Sequence, residues 1–230
     1  MARKRQSRPI KLKSQVLDME DYLRYKNYRD YVLFLVGITT GYRTGDLVNL
    51  KVRDVKEAIR RREFTIYEGK KFNSKNIRKE NRKPRVVEVI PELAKILKEY
   101  IKDKKDYEYV FQSRKGVNKP IGVQAVSNIL KDAANYFGLI DITAHSMRKT
   151  YAYKIYIESG HDIVAVKELL GHRSIEETKR YIGLDREKYH QYSKSLSEFV
   201  RWYFIFLLSQ CLKIYTSNIE VLKIKAYIRN

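Results

Sequence analysis

The chain is poor in the residues that mark disulfide-stabilised and membrane-spanning proteins. It has one cysteine among 230 residues, Cys211, so an internal disulfide and a multi-thiolate metal site are both excluded. A reducing, cytosolic setting suits this composition. The most apolar run, residues 202–208, is far shorter than the roughly 20 residues that span a bilayer. We therefore expect a cytoplasmic protein with no membrane partner.

Acidic residues are also scarce relative to basic ones. The chain has 48 Lys plus Arg against 27 Asp plus Glu, a formal net charge of +21, and a pI near 9.8. This excess indicates a polyanionic partner, and DNA, RNA and an anionic membrane all remain open on charge alone, as does a merely soluble basic protein. The first 15 residues are basic but lack the apolar core of a secretory signal. We expect residues 1–16 to form a solvated basic tail that touches the DNA backbone.

The hydrophobic pattern predicts a mostly helical protein. Hydrophobic residues make up 43% of the chain, enough for one large domain or one domain with a small appendage. Helical spacing, capping residues and terminal glycines predict helices over residues 18–37, 44–50, 91–101, 122–137, 144–158, 162–170 and from 174 through Tyr181. Two strands are predicted over residues 64–67 and 85–90, separated by a long basic loop. The expected fold class is mainly α with a small antiparallel β element (α+β).

Two histidines, an arginine and a tyrosine stand in a pattern suited to chemistry on a phosphodiester. His145 and Arg148 are three residues apart at the start of a predicted helix, so they share a face where backbone N–H groups also favour an anion. His172 follows a glycine-terminated helix, and Tyr181 lies nine residues further along. Tyrosine is a weak nucleophile at its ordinary pKa of about 10, so it needs cations and proton carriers around the target. The alternatives are a chance HxxR step on a basic helix and a half-buried packing tyrosine, one of 19 in the chain.

A second arginine lies in a glycine-containing turn. Arg43 is flanked by Gly41 and Gly45, which let the backbone turn sharply, and Asp46 follows three residues later. A carboxylate at that position could orient the guanidinium from behind. The alternative is an ordinary surface Arg–Asp pair worth only tenths of a kcal/mol.

Taken together, these segments resemble the catalytic domain of tyrosine recombinases, the phage integrase family, over roughly residues 17–190. The resemblance rests on four motifs in order: GYRTGDLVNL around Arg43, HSMRKT with His145 and Arg148, LLGH ending at His172, and Tyr181 nine residues later. It implies the fold of that catalytic domain and cleavage of DNA by the tyrosine, which leaves a 3′-phosphotyrosyl bond and a free 5′-hydroxyl. It also implies that no metal and no high-energy cofactor take part.

The resemblance assigns a role to each of these side chains. Arg43 and Arg148 would neutralise the pentavalent transition state through bidentate contacts that lysine would not reproduce. Tyr181 would be the nucleophile. His145 would assist proton transfer, and His172 would donate a hydrogen bond to a non-bridging oxygen.

The family also places a lysine in the β-hairpin as general acid for the leaving 5′-oxygen. Lys70 and Lys71 lie just after the first predicted strand, and Lys71 is preferred because the family's lysine usually directly precedes the turn residue. Asp46 would support the site from behind. The alternative for the hairpin lysines is a solvated basic loop that touches phosphates nonspecifically. The side chains predicted to contact DNA are Lys70, Lys75, Lys79, Arg82, Lys149 and Arg173.

Both ends of the chain depart from the family pattern. Family members usually carry a helical domain before the catalytic one, and only 42 residues precede Arg43 here, so half of the clamp around the duplex is expected to be missing. The predicted catalytic domain covers residues 17–194. Residues 195–230 are apolar and unlike a solvated tail. They could dock on a neighbouring protomer, pack on their own domain, or be accidental sequence from a shifted reading frame.

Three functions remain open. The first is a site-specific DNA recombinase or integrase of a mobile element, acting on double-stranded DNA as a self-associated tetramer and lying with the nucleoid. The second is a catalytically inactive DNA-binding accessory protein of the same fold. The third is a type IB topoisomerase-like enzyme that relaxes DNA by the same chemistry. The set of two arginines, two histidines and a tyrosine favours the first, because an inactive binder has no physical reason to keep a nucleophile.

Overall fold

The structure is a computed structural model that describes residues 6–67 and 84–184. By its contacts the chain divides into one unit ending at Gly183 and a second beginning at Leu184, so nearly all described residues belong to the first. Within the described residues the fold is mainly helical with one small antiparallel sheet, which confirms the predicted fold class. The apolar segment over residues 195–230 lies outside the described residues.

Nine helices and two strands make up the described part of the chain. The helices are α1 (Lys13–Lys26), α2 (Tyr28–Thr40), α3 (Thr44–Leu47), α4 (Val52–Arg61), α5 (Pro91–Ile101), α6 (Val123–Tyr136), α7 (Ala144–Glu158), α8 (Ile163–Leu170) and α9 (Ile175–Ile182), and the strands are β1 (Glu63–Ile66) and β2 (Arg85–Glu88). The strands pair antiparallel, with Glu63 opposite Glu88 and Ile66 opposite Arg85. Both strands and helices α5 to α9 agree with the sequence prediction to within two residues.

The region predicted as one helix over residues 18–37 contains two helices, so that prediction is wrong in its bounds. α1 begins earlier, at Lys13, and Asn27 separates it from α2. The Asn27 backbone is extended, its N–H donates to the Leu23 carbonyl, and its side-chain oxygen accepts from the Arg29 N–H. One asparagine therefore closes α1 and caps α2. Hydrophobic spacing runs through this break, which is why periodicity did not reveal it.

α4 is absent from the sequence prediction. Its inward face consists of Val52, Val55 and Ala58, and it packs against α5 and β1. The spacing of these three residues is helical, but they stand in a stretch dominated by charged side chains. A narrow apolar stripe was thus the only local signal for this helix.

α2 is the central helix of the fold. All of residues 30–37 are buried, and α1, α3, α5 and α7 pack around this helix. The contact with α7 is close at Gly37, where an added Cβ would lie 2.4 Å from Met147 Sδ. Glycine lets the two backbones approach this far. α7, which carries His145 and Arg148, is therefore anchored on the centre of the fold.

Residues 7–11 form an N-terminal strap that lies against α7. Ile10 is buried, and its backbone N–H donates to Thr150 Oγ1 at 2.8 Å. The Arg8 guanidinium lies 3.2 Å from the Asp141 carboxylate. The expectation of a solvated tail is therefore wrong for these residues, because one apolar side chain in the basic stretch is buried. No helix in the described part of the chain is both long and apolar enough to cross a bilayer.

Candidate active site

The N-terminus of α7 positions the first two candidate side chains, His145 and Arg148. Thr143 caps this helix as predicted, its hydroxyl accepting from the His145 N–H at 3.3 Å, and Ser127 Oγ on α6 accepts from the Ala144 N–H at 3.1 Å. Hydroxyl oxygens therefore already engage two of the N–H groups that were expected to favour an anion. Anion binding at this helix end consequently falls to the side chains.

Arg148 lies buried at the centre of the site, with 2% of the residue exposed. One terminal nitrogen donates to the Gly41 carbonyl at 2.7 Å and the other to the Leu170 carbonyl at 3.4 Å. Gly41 closes α2 two residues before Arg43, and Leu170 ends α8 two residues before His172. One guanidinium therefore connects the three segments that carry predicted catalytic residues.

The turn between α2 and α3 carries Arg43, which is half-buried. Its carbonyl accepts from the Asp46 N–H at 2.9 Å, so Asp46 helps to begin α3 through its backbone. Gly41 makes the turn, because its φ is +62° and a Cβ there would lie 2.3 Å from the Tyr151 ring. Gly45 lies inside α3 with open space around it, so the predicted need for glycine holds at Gly41 and is wrong at Gly45. The orienting role of the Asp46 carboxylate stays a prediction.

Arg85, the first residue of β2, also donates hydrogen bonds to main-chain carbonyls at this turn, and the sequence analysis missed it. Its terminal nitrogens donate to the Thr40 carbonyl at 2.7 Å and to the Gly41 carbonyl at 3.2 Å. The Gly41 carbonyl thus accepts from both Arg85 and Arg148. The β-hairpin is tied in this way to the turn that carries Arg43.

A signal for Arg85 was present in the strand alternation. Arg85 and Val87 share the less exposed face of β2, and an arginine on such a face needs polar partners. The guanidinium also lies 5.5 Å from the centre of the Tyr151 ring. Burial raises the pKa of the Tyr151 phenol, and the neighbouring Arg85 charge acts in the opposite direction. Tyr151 therefore stays neutral and supplies a ring face for the guanidinium.

Tyr181, near the end of α9, has its ring enclosed by three side chains. The ring centroid of His145 lies 5.2 Å away at an interplanar angle of 89°, and that of His172 lies 4.8 Å away at 71°. The Lys149 Nζ lies 5.0 Å from the centre of the same ring. The structure therefore brings the predicted nucleophile together with both predicted histidines.

Thr178 holds the His172 ring, and sequence reasoning missed it. The Thr178 hydroxyl lies 3.0 Å from His172 Nδ1 and donates its proton to the Ser174 carbonyl at 3.1 Å. The hydroxyl therefore contacts both the His172 ring and the Ser174 carbonyl, and this pair of contacts orients the imidazole. The signal for this contact was a threonine one helical turn before Tyr181.

Two of the other predicted site residues, Lys149 and Arg173, are described by the structure, and five are not. Lys149 is 2% exposed and donates to the Ser7 carbonyl at 2.7 Å, so it lies in the interior and not on the surface expected of a DNA-contacting residue. Arg173 is exposed beside His172, and its DNA contact stays a prediction. The candidate general acid Lys71, its alternative Lys70, and Lys75, Lys79 and Arg82 all lie outside the described residues. Within residues 6–67 and 84–184, no group of three His, Cys, Asp or Glu is arranged to hold a metal ion.

Comparison with known proteins identifies one family over most of the chain. The model of the phage integrase family matches residues 12–188. A probable integrase/recombinase, YoeC of Bacillus subtilis (strain 168), is 33% identical over 179 residues, covering 78% of this chain and 91% of YoeC. The tyrosine recombinase XerC of Roseiflexus castenholzii is 32% identical over 171 residues, covering 70% of this chain and 49% of that recombinase.

The fold is also similar to that of a solved integrase. The integrase of transposon Tn1549, in complex with a circular intermediate DNA, superposes with a TM-score of 0.58 at 15% identity, covering 79% of this chain and 63% of that chain. The chain thus spans most of YoeC but about half the length of XerC. The family match over most of the sequence, together with the shared fold, shows that this protein belongs to the phage integrase family of tyrosine recombinases.

Proposed function

We propose that this protein is a site-specific DNA recombinase or integrase that cleaves and rejoins double-stranded DNA through a 3′-phosphotyrosyl intermediate. The observation that carries the proposal is the enclosure of the Tyr181 ring by His145 and His172, with Arg148 buried on the same helix as His145. A net charge of +21 suits a DNA ligand. The Tn1549 integrase, whose fold this chain shares, is bound to DNA in its structure.

The proposed reaction exchanges one phosphodiester for another. The Tyr181 oxygen forms a bond to phosphorus while the bond from phosphorus to the 5′-oxygen breaks. The phenol proton passes to a base, and the 5′-oxygen takes a proton from a general acid. A 5′-hydroxyl from the partner duplex then attacks the phosphotyrosine and releases Tyr181. The number of phosphodiester bonds is unchanged at the end, so no external energy source is required.

The two arginines are proposed to bind the non-bridging oxygens. Arg148 donates to the Gly41 and Leu170 carbonyls, which fix the plane of its guanidinium before any substrate arrives. A preoriented cation loses little freedom when it meets the developing negative charge. Arg43, on the turn that follows Gly41, would supply the second guanidinium.

The two histidines are proposed to divide proton transfer and charge stabilisation. His145 is exposed and its ring is in contact with the Tyr181 ring, which suits a base that takes the phenol proton. His172 is held through Nδ1 by the Thr178 hydroxyl, so Nε2 is the nitrogen that would donate to a phosphate oxygen. The negative charge of a bound phosphodiester favours a protonated imidazole. Lys71 is proposed as the general acid for the 5′-oxygen.

The test begins by finding a DNA sequence that the protein binds. Tyr181→Phe protein is mixed with a pool of random-sequence duplexes, and the bound fragments are enriched over repeated rounds. The enriched sequence is then rebuilt as a duplex with a nick near its centre, so that cleavage releases a short fragment and traps the protein on DNA. We expect wild-type protein to form a covalent adduct that survives denaturing electrophoresis.

Two variants define the outcome. Tyr181→Phe should form no adduct, whereas Tyr136→Phe, which alters an exposed tyrosine on α6, should form as much as wild type. Binding without any adduct would leave a DNA-binding accessory protein. An adduct accompanied by relaxation of supercoiled plasmid, without exchange of partner strands, would identify a type IB topoisomerase-like enzyme. Either result would contradict the recombinase proposal.

Self-association on DNA is part of the same proposal. Exchange between two duplexes requires four strand cleavages, so a tetramer of this chain with two duplexes is expected. Sedimentation of Tyr181→Phe with the enriched duplex measures the stoichiometry, and a complex of one chain per duplex at every concentration would contradict the tetramer.

A further inference from the structure

We propose that Lys149 is a positioning residue for Tyr181, whose buried ammonium holds the phenol ring in the site and stabilises the phenolate during attack. The proposal rests on the proposed role of Tyr181 as nucleophile. Lys149 follows Arg148 on α7 and is almost fully buried. Its Nζ lies 5.0 Å from the centre of the Tyr181 ring.

The ammonium has two polar neighbours that reduce the cost of its burial. Removing a charge from water is unfavourable unless polar groups face it. The Ser7 carbonyl accepts a hydrogen bond from Lys149 Nζ at 2.7 Å, and the face of the Tyr181 ring carries partial negative charge. The attraction to the ring grows when the phenol loses its proton, because a neutral π system then becomes an anion. An interaction that strengthens as the nucleophile becomes charged accelerates the chemical step.

The N-terminal strap fixes Lys149 from the other side. Ser7 belongs to this strap, which is held on α7 by the hydrogen bond from the Ile10 N–H to Thr150 Oγ1 at 2.8 Å. Lys11 Nζ donates to the Gly183 carbonyl at 3.3 Å, at the C-terminal end of α9. The same short segment therefore contacts both Lys149 and the helix that carries Tyr181.

Other ionisable groups also surround the Tyr181 ring. His145 and His172 contact the ring directly. The remaining charged side chains of α7, α8, α9 and the strap are Arg8, Lys11, Arg148, Lys154, Glu158, Lys167, Glu168, Glu176, Glu177, Lys179 and Arg180. Histidines are neutral at the alkaline pH at which a phenol ionises, arginine keeps its charge, and the lysines and the other tyrosines titrate in the same range. These groups are common to wild type and Lys149→Met, so the difference between the two titrations measures the Lys149 charge.

Ionisation of Tyr181 can be measured without any DNA. The protein is labelled with carbon-13 at the tyrosine ring carbon that bears oxygen, and the Tyr181 signal is identified by its absence in Tyr181→Phe. Spectra are recorded from about pH 7 to about pH 11. An ordinary lysine stays charged over most of this range, up to about pH 10. For a charge roughly 5 Å away, Lys149→Met should raise the midpoint of the Tyr181 titration by about 0.6 to about 2.4 pH units, for effective dielectric constants of about 80 to about 20.

Two control variants separate the charge from the shape of the side chain. Lys149→Arg keeps the charge and should keep a midpoint close to that of wild type. Lys154→Met removes an exposed lysine from the same helix and should shift the midpoint far less than Lys149→Met. An unchanged midpoint in Lys149→Met would overturn the proposal. A midpoint shift in Lys149→Met no larger than the shift in Lys154→Met would also overturn it.

The rate of adduct formation gives a second measurement. Near neutral pH, Lys149→Met should slow adduct formation on the enriched nicked duplex by at most roughly 4-fold to 250-fold, the factor that corresponds to the titration shift. This deficit should shrink as the pH is raised, whereas a purely structural defect would lower the rate equally at every pH. If wild type forms no adduct at all, the proposed function fails, and the spectroscopic titration still decides the role of Lys149.

Discussion

Replacement of Gly41 by alanine should disturb the Gly41 carbonyl, to which both Arg85 and Arg148 donate hydrogen bonds. Gly41 has a φ of +62°, and a Cβ at this position would lie 2.3 Å from the Tyr151 ring. Its carbonyl accepts from Arg148 at 2.7 Å and from Arg85 at 3.2 Å. The substitution therefore strains the backbone, displaces an aromatic ring and moves a shared acceptor.

The magnitude follows from two separate costs. A non-glycine residue in the left-handed region costs about 1 to 2 kcal/mol. Forcing a methyl group into packed side chains costs about 1 to 3 kcal/mol. Alanine also lowers the entropy of the unfolded chain, which offsets about 0.4 to 1 kcal/mol. We expect Gly41→Ala to lower the free energy of unfolding by about 2 to 4 kcal/mol, which leaves a domain of ordinary stability folded.

Urea unfolding followed by circular dichroism measures this loss. Gly45→Ala is the matched control, because Gly45 lies in α3 with nothing close to its missing Cβ, and alanine there should leave stability unchanged or raise it by up to about 1 kcal/mol. Adduct formation on the enriched duplex should also fall at least about tenfold in Gly41→Ala, a change of about 1.4 kcal/mol in the barrier. A loss of stability below about 1 kcal/mol, or an equal loss in Gly45→Ala, would refute the reasoning.

Three further predictions concern side chains around the site. Thr178→Val removes the hydroxyl that contacts His172 Nδ1, so adduct formation should fall by about tenfold or more while DNA affinity is kept, and Thr178→Ser should restore the rate. Equal rates in both variants, measured in single turnovers, would contradict an orienting role for Thr178. In Arg148→Lys a single ammonium replaces the guanidinium and cannot bind both carbonyls and a phosphate. The rate of adduct formation should fall at least about 100-fold, and the free energy of unfolding should fall by about 1 to 3 kcal/mol. The adduct assay and urea unfolding test the two effects. Burial raises the pKa of the Tyr42 and Tyr151 phenols, so these groups hold their protons more tightly in the folded state than in the unfolded state, and the free energy of unfolding should be constant from about pH 7 to about pH 9 and fall above about pH 10. Tyr42→Phe should lessen that alkaline fall. Urea unfolding of wild type and variant at about pH 8 and about pH 10.5 measures it, and an equal fall in both proteins would contradict the prediction.

The parts of the site that the sequence predicts are those defined by local spacing. His145 and Arg148 follow a helix cap, and His172 and Tyr181 bracket the next cap, so a few residues of sequence fix their relation to a helix end. The structure adds the long-range relation between these segments, which comes from the Arg148 contacts with the Gly41 and Leu170 carbonyls.

The parts that were missed depend on contacts between distant segments. Arg85 and Lys149 are two cations among 48, and beyond the strand alternation at Arg85 the local sequence does not show that they have main-chain partners. Those partners are the Gly41 carbonyl for Arg85 and the Ser7 carbonyl for Lys149. The boundary between α1 and α2 at Asn27 was also missed, because the hydrophobic spacing continues from one helix into the next.

The acceptors that orient Arg148 are main-chain oxygens, which every residue type supplies. Replacing the side chain of Leu170 removes no acceptor, so drift in the sequence there leaves the grip on the guanidinium in place. At Leu170 the orientation of the guanidinium is therefore set by the backbone and not by the identity of the side chain.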